Sequence, residues 1–105
     1  MPPPSPDLMI THVPAPEWAS WAESNDAVVI DAREPNEWMR GTLPECERIS
    51  LAHLPSAVAT MDPSRAVLLV CATGARSTVG ATWLTSIGFE NAASMAGGVK
   101  ALGLI

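Results

Sequence analysis

The chain has few basic residues, cysteines and histidines, and each shortage excludes a class of protein. Its 105 residues include six lysines and arginines against eleven aspartates and glutamates, which gives a formal net charge of −5. No basic cluster could neutralise a run of phosphates, so we expect no nucleic acid partner. The two cysteines, Cys46 and Cys71, form no C-x-x-C pair, and there are only two histidines. The sequence therefore predicts neither a zinc site nor a disulfide scaffold.

Long apolar runs are also missing. No stretch approaches the roughly 20 apolar residues that a transmembrane helix needs. Residues 1–6 contain no lysine or arginine, so we expect no targeting segment. We therefore predict a protein without membrane association that lies in the cytoplasm, where thiols stay reduced. A chain of this length is expected to form one domain with one core. Residues 1–8 contain four prolines and are predicted to be a flexible arm, and residues 9–105 the domain.

Strands and helices alternate along the predicted domain. Two continuous apolar runs, Ala27–Ile30 and Ala66–Val70, are typical of parallel strands that are covered on both faces. Weaker strands are predicted at residues 9–13, 48–51 and 91–95, and helices at residues 18–26, 34–40, 54–61 and 77–87. This order predicts an α/β domain with a mainly parallel central sheet and helices on both faces.

Cys71 directly follows the second apolar run, at a strand end where open α/β sheets bind ligands. The small residues after it allow backbone N–H groups to converge above the sulfur, and a helix that we expect Ser77 to cap adds its positive end. Arg76 would add a fixed positive charge. These effects favour the thiolate and lower the thiol pKa below its usual value of about 8.5. The sequence thus predicts an activated nucleophile, whereas a cysteine that only packs in the core would need no such loop.

The segment from Cys71 to Ser77, CATGARS, resembles the C-x-x-G-x-R-S active loop of the rhodanese-like sulfurtransferases. Residues 29–41 are similar to that family's D-x-R-E-P-x-E-[YW]-x-x-G segment. Residues 43–51 parallel its I-P-G-A-x-x-I-P-L segment, and residues 95–98 parallel its closing L-x-G-G. The similar segments follow in the family's order from about residue 9 to residue 103, so the chain is identified as a member with a single rhodanese-like domain.

The resemblance implies a mechanism of sulfur transfer. Cys71 would take a sulfane sulfur from a donor such as thiosulfate, become a persulfide, and pass the sulfur to cyanide in an assay or to a thiol or protein in the cell. The persulfide-binding loop that it implies consists of Ala72, Thr73, Gly74, Ala75, Arg76 and Ser77. The backbone amides would hold the terminal sulfur, and the Arg76 side chain would brace the loop. No metal or other cofactor is expected, and we expect a monomer or a weak dimer.

Two other functions stay open at this point. The chain could be a binding or persulfide-delivery module for a protein partner with little turnover of small donors, although the intact Cys71 favours the enzyme. It could also be a phosphatase with a cysteine nucleophile. Such phosphatases use C-x5-R, whereas only four residues separate Cys71 from Arg76. The smaller ring suits a sulfur atom better than a phosphoryl group.

Asp31 and Arg33 follow the first apolar run and are predicted to lie beside the Cys71 loop in supporting roles. Asp31 would accept amides of a loop or turn, and Arg33 would pair with a carboxylate such as Glu37, four residues further on. A role for Asp31 as a catalytic acid is the alternative.

The second cysteine and the two histidines are expected to lie outside the chemistry. Cys46 is predicted to pack, with a resolving thiol for an oxidised Cys71 as the alternative. His12 and His53 are expected on the surface or in turns, because a thiolate that its loop already stabilises needs no general base.

Overall fold

The computed structural model describes residues 10–104, so the predicted arm at residues 1–8 lies outside the described residues. Within them, one sheet has the strand order β1-β5-β4-β2-β3, and every pairing is parallel. The strands are β1 (Thr11–Pro14), β2 (Val28–Asp31), β3 (Glu47–Arg48), β4 (Val67–Val70) and β5 (Ala92–Ala96). The predicted α/β domain with a parallel central sheet is confirmed.

Helices form the connections that parallel strands require. The α-helices are α1 (Trp18–Asn25), α2 (Pro35–Trp38), α3 (Leu54–Val58) and α4 (Ala75–Ser86). Short 3-10 helices lie at Ala15–Glu17, Leu51–His53 and Val99–Leu102. Among residues 10–104, no helix has the length and apolarity that crossing a bilayer requires.

Strand β4 lies inside the sheet and separates two apolar cores. Val67 and Leu69 pack with residues of α4 on one face, whereas Leu68 and Val70 pack on the other face, against which Trp18 of α1 also packs. All four β4 residues are fully buried. The run is therefore continuously apolar because both faces are covered, and the prediction of helices on both faces is confirmed.

Helix α4 lies close to β4 because Gly80 presents no side chain to the sheet. A Cβ atom added at Gly80 would lie only 2.5 Å from Leu69 Cδ1 and 3.1 Å from Leu51 Cδ1. This close contact fixes α4 against the strand that precedes Cys71 and so sets where the first turn of the helix lies relative to the cysteine.

Three predicted boundaries are wrong. Helix α3 ends at Val58 rather than at residue 61. The short strand β3 is Glu47–Arg48 rather than 48–51, because the chain turns into the 3-10 helix Leu51–His53. Helix α4 begins at Ala75 and is capped by Gly74, not by Ser77. The capping residue has a φ of 100°, a left-handed conformation that glycine adopts without the steric penalty of a side chain. Ser77 therefore lies inside the first turn of the helix.

Candidate active site

Cys71 lies at the carboxyl edge of the sheet, immediately after β4, and the residue is only 1% exposed. Its Sγ accepts the backbone N–H of Gly74 at 3.1 Å and that of Ser77 at 3.3 Å. The Ser77 hydroxyl oxygen is 3.4 Å from the same sulfur. The loop thus curls around the sulfur and directs hydrogen-bond donors at it.

A second segment holds the loop from behind. The N–H of Val99 donates to the Cys71 carbonyl at 2.9 Å, and the N–H of Lys100 donates to the Ala72 carbonyl at 3.0 Å. Gly98 makes this approach possible, because a Cβ atom at its position would overlap the Ala72 carbonyl group. With these carbonyls turned towards residues 98–100, the loop is fixed in the conformation that directs amides at the sulfur.

The balance of burial and hydrogen bonding sets the pKa of the Cys71 thiol. Burial raises that pKa, because a charged sulfur loses hydration. The hydroxyl and N–H of Ser77 lower it, together with the N–H groups of Gly74 and Thr73. These donors outweigh burial, so the pKa of Cys71 lies below its ordinary value. The site can therefore hold a thiolate, which is the nucleophilic form of cysteine.

Arg76 connects the loop to helix α2. Its Nη1 and Nη2 donate to Glu37 Oε1 and Oε2 at 2.7 Å and 2.9 Å, and the N–H of Glu34 also donates to Glu37 Oε1. The hydrogen bonds from Arg76 lower the pKa of Glu37 to about 2, and those to Glu37 raise the pKa of Arg76. Arg76 is thus placed to brace the loop. The carboxylate of Glu37 compensates much of the positive charge that the sequence predicts Arg76 to add near the sulfur.

Asp31 and Arg33 form an ion pair with each other, and both are fully buried. Arg33 Nη2 lies 2.8 Å from Asp31 Oδ2, and Arg33 Nε lies 3.0 Å from Asp31 Oδ1. Arg33 also donates to the Gly41 carbonyl, and the Thr42 hydroxyl donates to Asp31 Oδ2. The pair therefore braces the turn at residues 41–42, and no hydrogen bond or ion pair of the described residues joins it to Cys71.

Arg33 pairs with a carboxylate as predicted, but the suggested partner Glu37 is wrong. Glu37 is bound by Arg76 of helix α4, and Arg33 takes the adjacent carboxylate of Asp31. A fully buried guanidinium needs a buried counter-charge, and Asp31 supplies it, whereas Glu37 lies on a part of α2 that is partly open to solvent.

The sequence profile of the rhodanese-like domain matches residues 15–103, most of the chain. This chain belongs to the rhodanese-like domain family. The thiosulfate sulfurtransferase GlpE of Pseudoalteromonas translucida (strain TAC 125) is 29% identical over 94 residues, which cover 90% of each chain.

Solved structures share the rhodanese-like fold. The crystal structure of a rhodanese-like domain protein from Staphylococcus aureus superposes with a TM-score of 0.77 at 24% identity, and covers 88% of this chain and 90% of that chain. The crystal structure of reduced Bacillus anthracis CoADR-RHD gives a TM-score of 0.80 at 26% identity. That match covers 93% of this chain but only 17% of the Bacillus anthracis chain, so this chain is similar to one part of that longer protein.

The two thiols of this rhodanese-like domain lie on opposite faces of the sheet. Cys46 packs against the core on the α1 face, and its Sγ is 3.0 Å from Thr42 Oγ1. The sulfur of Cys71 instead contacts the first turn of α4, on the other face. A disulfide needs Cβ atoms about 4 Å apart, so this arrangement favours the packing role of Cys46 over a resolving thiol.

The histidines lie where the sequence predicts. His12 is exposed on β1, and His53 is exposed in the 3-10 helix that follows Ser50. Ser50 Oγ lies 2.7 Å from His53 Nδ1. In the described part of the chain, no group of three or more histidines, cysteines, aspartates or glutamates is placed to hold a metal ion.

Sequence reasoning missed Ser94, which reaches the site from β5. Ser94 is fully buried, and its Oγ lies 2.7 Å from Ser77 Oγ and 3.3 Å from Thr78 Oγ1. The available signal was a serine among apolar residues in a predicted strand. A hydroxyl in such a strand must find a partner, and here the partner belongs to the active loop.

Proposed function

We propose that this rhodanese-like domain is a sulfurtransferase in which Cys71 carries the transferred sulfur as a persulfide. The supporting observation is the ring of donors around Sγ, with the Gly74 and Ser77 N–H groups at 3.1 Å and 3.3 Å. A relative named as a thiosulfate sulfurtransferase matches over 90% of the chain and supports the same class of activity.

The proposed reaction has two steps. The Cys71 thiolate attacks the sulfane sulfur of thiosulfate, the S–S bond of the donor breaks, and sulfite leaves with the bonding electron pair. The acceptor then attacks the terminal sulfur of the Cys71 persulfide, so that cyanide becomes thiocyanate and the thiolate is restored. The loop amides stabilise the negative charge on sulfur in both steps without reorganising.

The position of Arg76 argues against a phosphatase. A phosphoryl group has three terminal oxygens that share its negative charge, and an arginine of the loop would have to bind them. Here both terminal nitrogens of the Arg76 guanidinium are bound to Glu37. We therefore expect negligible turnover of an aryl phosphate, and turnover of that substrate faster than thiocyanate formation would overturn the assignment.

A protein acceptor is the second candidate, and it is favoured by exposed apolar side chains on α4 and directly after α2. Val79, two residues after Ser77, is 60% exposed, and Met39, two residues after Glu37, is 89% exposed. Such side chains are suited to contact with a protein that receives the sulfur.

We propose a cytoplasmic location, because the described cysteines are both free and the reaction needs a reduced thiol.

The test is loading with thiosulfate followed by intact mass measurement. Wild type should gain the mass of one sulfur atom, Cys71→Ala should gain none, and Cys46→Ser should match wild type. Addition of cyanide should remove the added mass and release thiocyanate. A wild-type protein that gains no sulfur while its Cys71 still reacts with iodoacetamide would refute the sulfurtransferase. Rapid loading with slow discharge by cyanide would favour delivery to a protein.

A further inference from the structure

We propose that Ser94 is a positioning residue that directs the Ser77 hydroxyl proton towards the sulfur of Cys71. The inference deepens the proposed function, since it assumes that Cys71 acts as the nucleophile. It concerns how the site stabilises the thiolate, which can be measured without any sulfur donor.

Ser94 has two neighbours for its hydroxyl among the described residues. It is fully buried on β5, where an unpaired hydroxyl would be costly. Its Oγ lies 2.7 Å from Ser77 Oγ and 3.3 Å from Thr78 Oγ1. Either hydroxyl could donate across the shorter contact. In the proposed arrangement the single Ser94 proton is donated to Ser77, so Ser77 does not at the same time donate to Ser94.

The Ser77 proton then has two acceptors in reach, and one of them is already occupied. The Gly74 carbonyl lies 3.1 Å from Ser77 Oγ. That carbonyl already accepts the Thr78 hydroxyl at 2.7 Å and the Thr78 N–H at 3.1 Å, which uses both of its lone pairs. The neutral thiol of Cys71 would donate to Ser77 Oγ across their 3.4 Å contact. The thiolate has no proton, so in that form Sγ is the remaining acceptor for the Ser77 hydroxyl.

The result is a chain of donors that runs from Ser94 through Ser77 to the thiolate. A hydroxyl that accepts a hydrogen bond becomes a stronger hydrogen-bond donor. This strengthens its hydrogen bond to a charged thiolate more than a hydrogen bond to a neutral thiol. Strand β5 thereby contributes to the nucleophile although Ser94 does not contact Cys71. Ser94 acts through Ser77, so the two residues must be tested together.

The experiment is a double-mutant cycle in a Cys46→Ser background, read from the pH dependence of Cys71 alkylation by iodoacetamide. Ser94→Ala should move the midpoint to higher pH and slow alkylation below that midpoint by about two- to fivefold. Ser77→Ala should have a larger effect. Ser94→Ala should add nothing further when Ser77 is already alanine, because the route to the sulfur is gone.

Two control variants separate the donor chain from packing. Thr82→Val removes a hydroxyl of the same helix that donates to the Thr78 carbonyl, and should leave the pH profile unchanged. Ser94→Thr keeps the hydroxyl, so its pH profile should stay close to that of wild type. Thermal unfolding of each variant will check that the variant is folded. An unchanged midpoint in Ser94→Ala, or an equal shift with and without Ser77, would overturn the inference.

The two proposals can fail separately. A raised midpoint in Ser94→Ala together with no sulfur loading would keep the role of Ser94 and remove the sulfurtransferase. Normal loading with an unchanged midpoint would do the reverse.

Discussion

Gly98 has a structural role that no other residue type could fill. Its φ of 64° lies in the left-handed region, and a Cβ atom there would overlap the Ala72 carbonyl. That carbonyl accepts the N–H of Lys100, which holds the back of the loop. The shape of the loop around Cys71 therefore depends on the missing side chain of a residue that does not contact the sulfur.

Gly98→Ala should displace the loop and raise the pKa of Cys71. The added methyl group meets backbone rather than a flexible side chain, so we expect a loss of about 1–3 kcal/mol in the free energy of unfolding. Alkylation of Cys71 at neutral pH should also slow. Thermal unfolding and iodoacetamide kinetics measure the two effects.

Gly103→Ala is the matched control for that substitution. Gly103 also has a positive φ, 76°, but nothing lies within 4 Å of an added Cβ atom. It should show the cost of backbone strain alone, with unchanged Cys71 reactivity. Equal effects of the two substitutions on alkylation would contradict the role that we assign to Gly98.

At the scale of elements, the pairing of Arg76 with Glu37 links helix α4 to helix α2. The two side chains are 37% and 26% exposed, so solvent screens part of their attraction. The link holds the first turn of α4, where Ser77 lies, against a second element at the rim of the site. Its contribution to stability is expected to be modest, at most about 1 kcal/mol.

The contribution of this link should depend on pH in a defined direction. The pKa of Glu37 is lowered to about 2 in the folded state. A lowered carboxyl pKa gives stability that is fully present above the unfolded value and is lost as the pH falls towards 2. The stability difference between wild type and Glu37→Gln should therefore be constant from pH 7 to about 5 and shrink below that. Chemical unfolding at several pH values measures it, and a difference that grows in acid would contradict the pairing.

Elements defined by their own residues were predictable from the sequence, and those defined by distant contacts were not. Strand β4 could be placed because burial on both faces makes it continuously apolar. The sequence predicts a start of α4 at Ser77, two residues too late, because the inward orientation of Ser77 depends on contacts with Cys71 and Ser94. The four-residue spacing from Arg33 to Glu37 suggested a helical ion pair, but a contact between two helices decides the partner of Glu37.

For the whole molecule, the charge distribution opposes an anionic donor. The formal charge is −5, and Arg76, a cation of the active loop, is compensated by Glu37. The amides around the sulfur are therefore the main groups that attract a dianion such as thiosulfate, and they act only at short range. The net negative charge of the protein repels the same dianion over about one Debye length.

Added salt should therefore accelerate the reaction with thiosulfate. Raising the ionic strength from about 0.01 M to about 0.15 M shortens the Debye length from about 30 Å to about 8 Å. We expect kcat/KM for thiosulfate to rise about two- to fivefold, as measured by thiocyanate formation. The alkylation rate with uncharged iodoacetamide should change less. A fall of kcat/KM with salt would show that local positive charge governs donor binding.

The location of the site in the sheet has a consequence for how the protein loses activity. Cys71 directly follows β4 and Ser94 lies in the middle of β5. These two strands lie inside the sheet, whereas β1 and β3 are its outer strands. Fraying normally starts at such outer strands, and inner strands open only with global unfolding. Amide hydrogens around the sulfur should thus be among the slowest to exchange, and mild denaturant should leave the nucleophile competent until the whole domain unfolds.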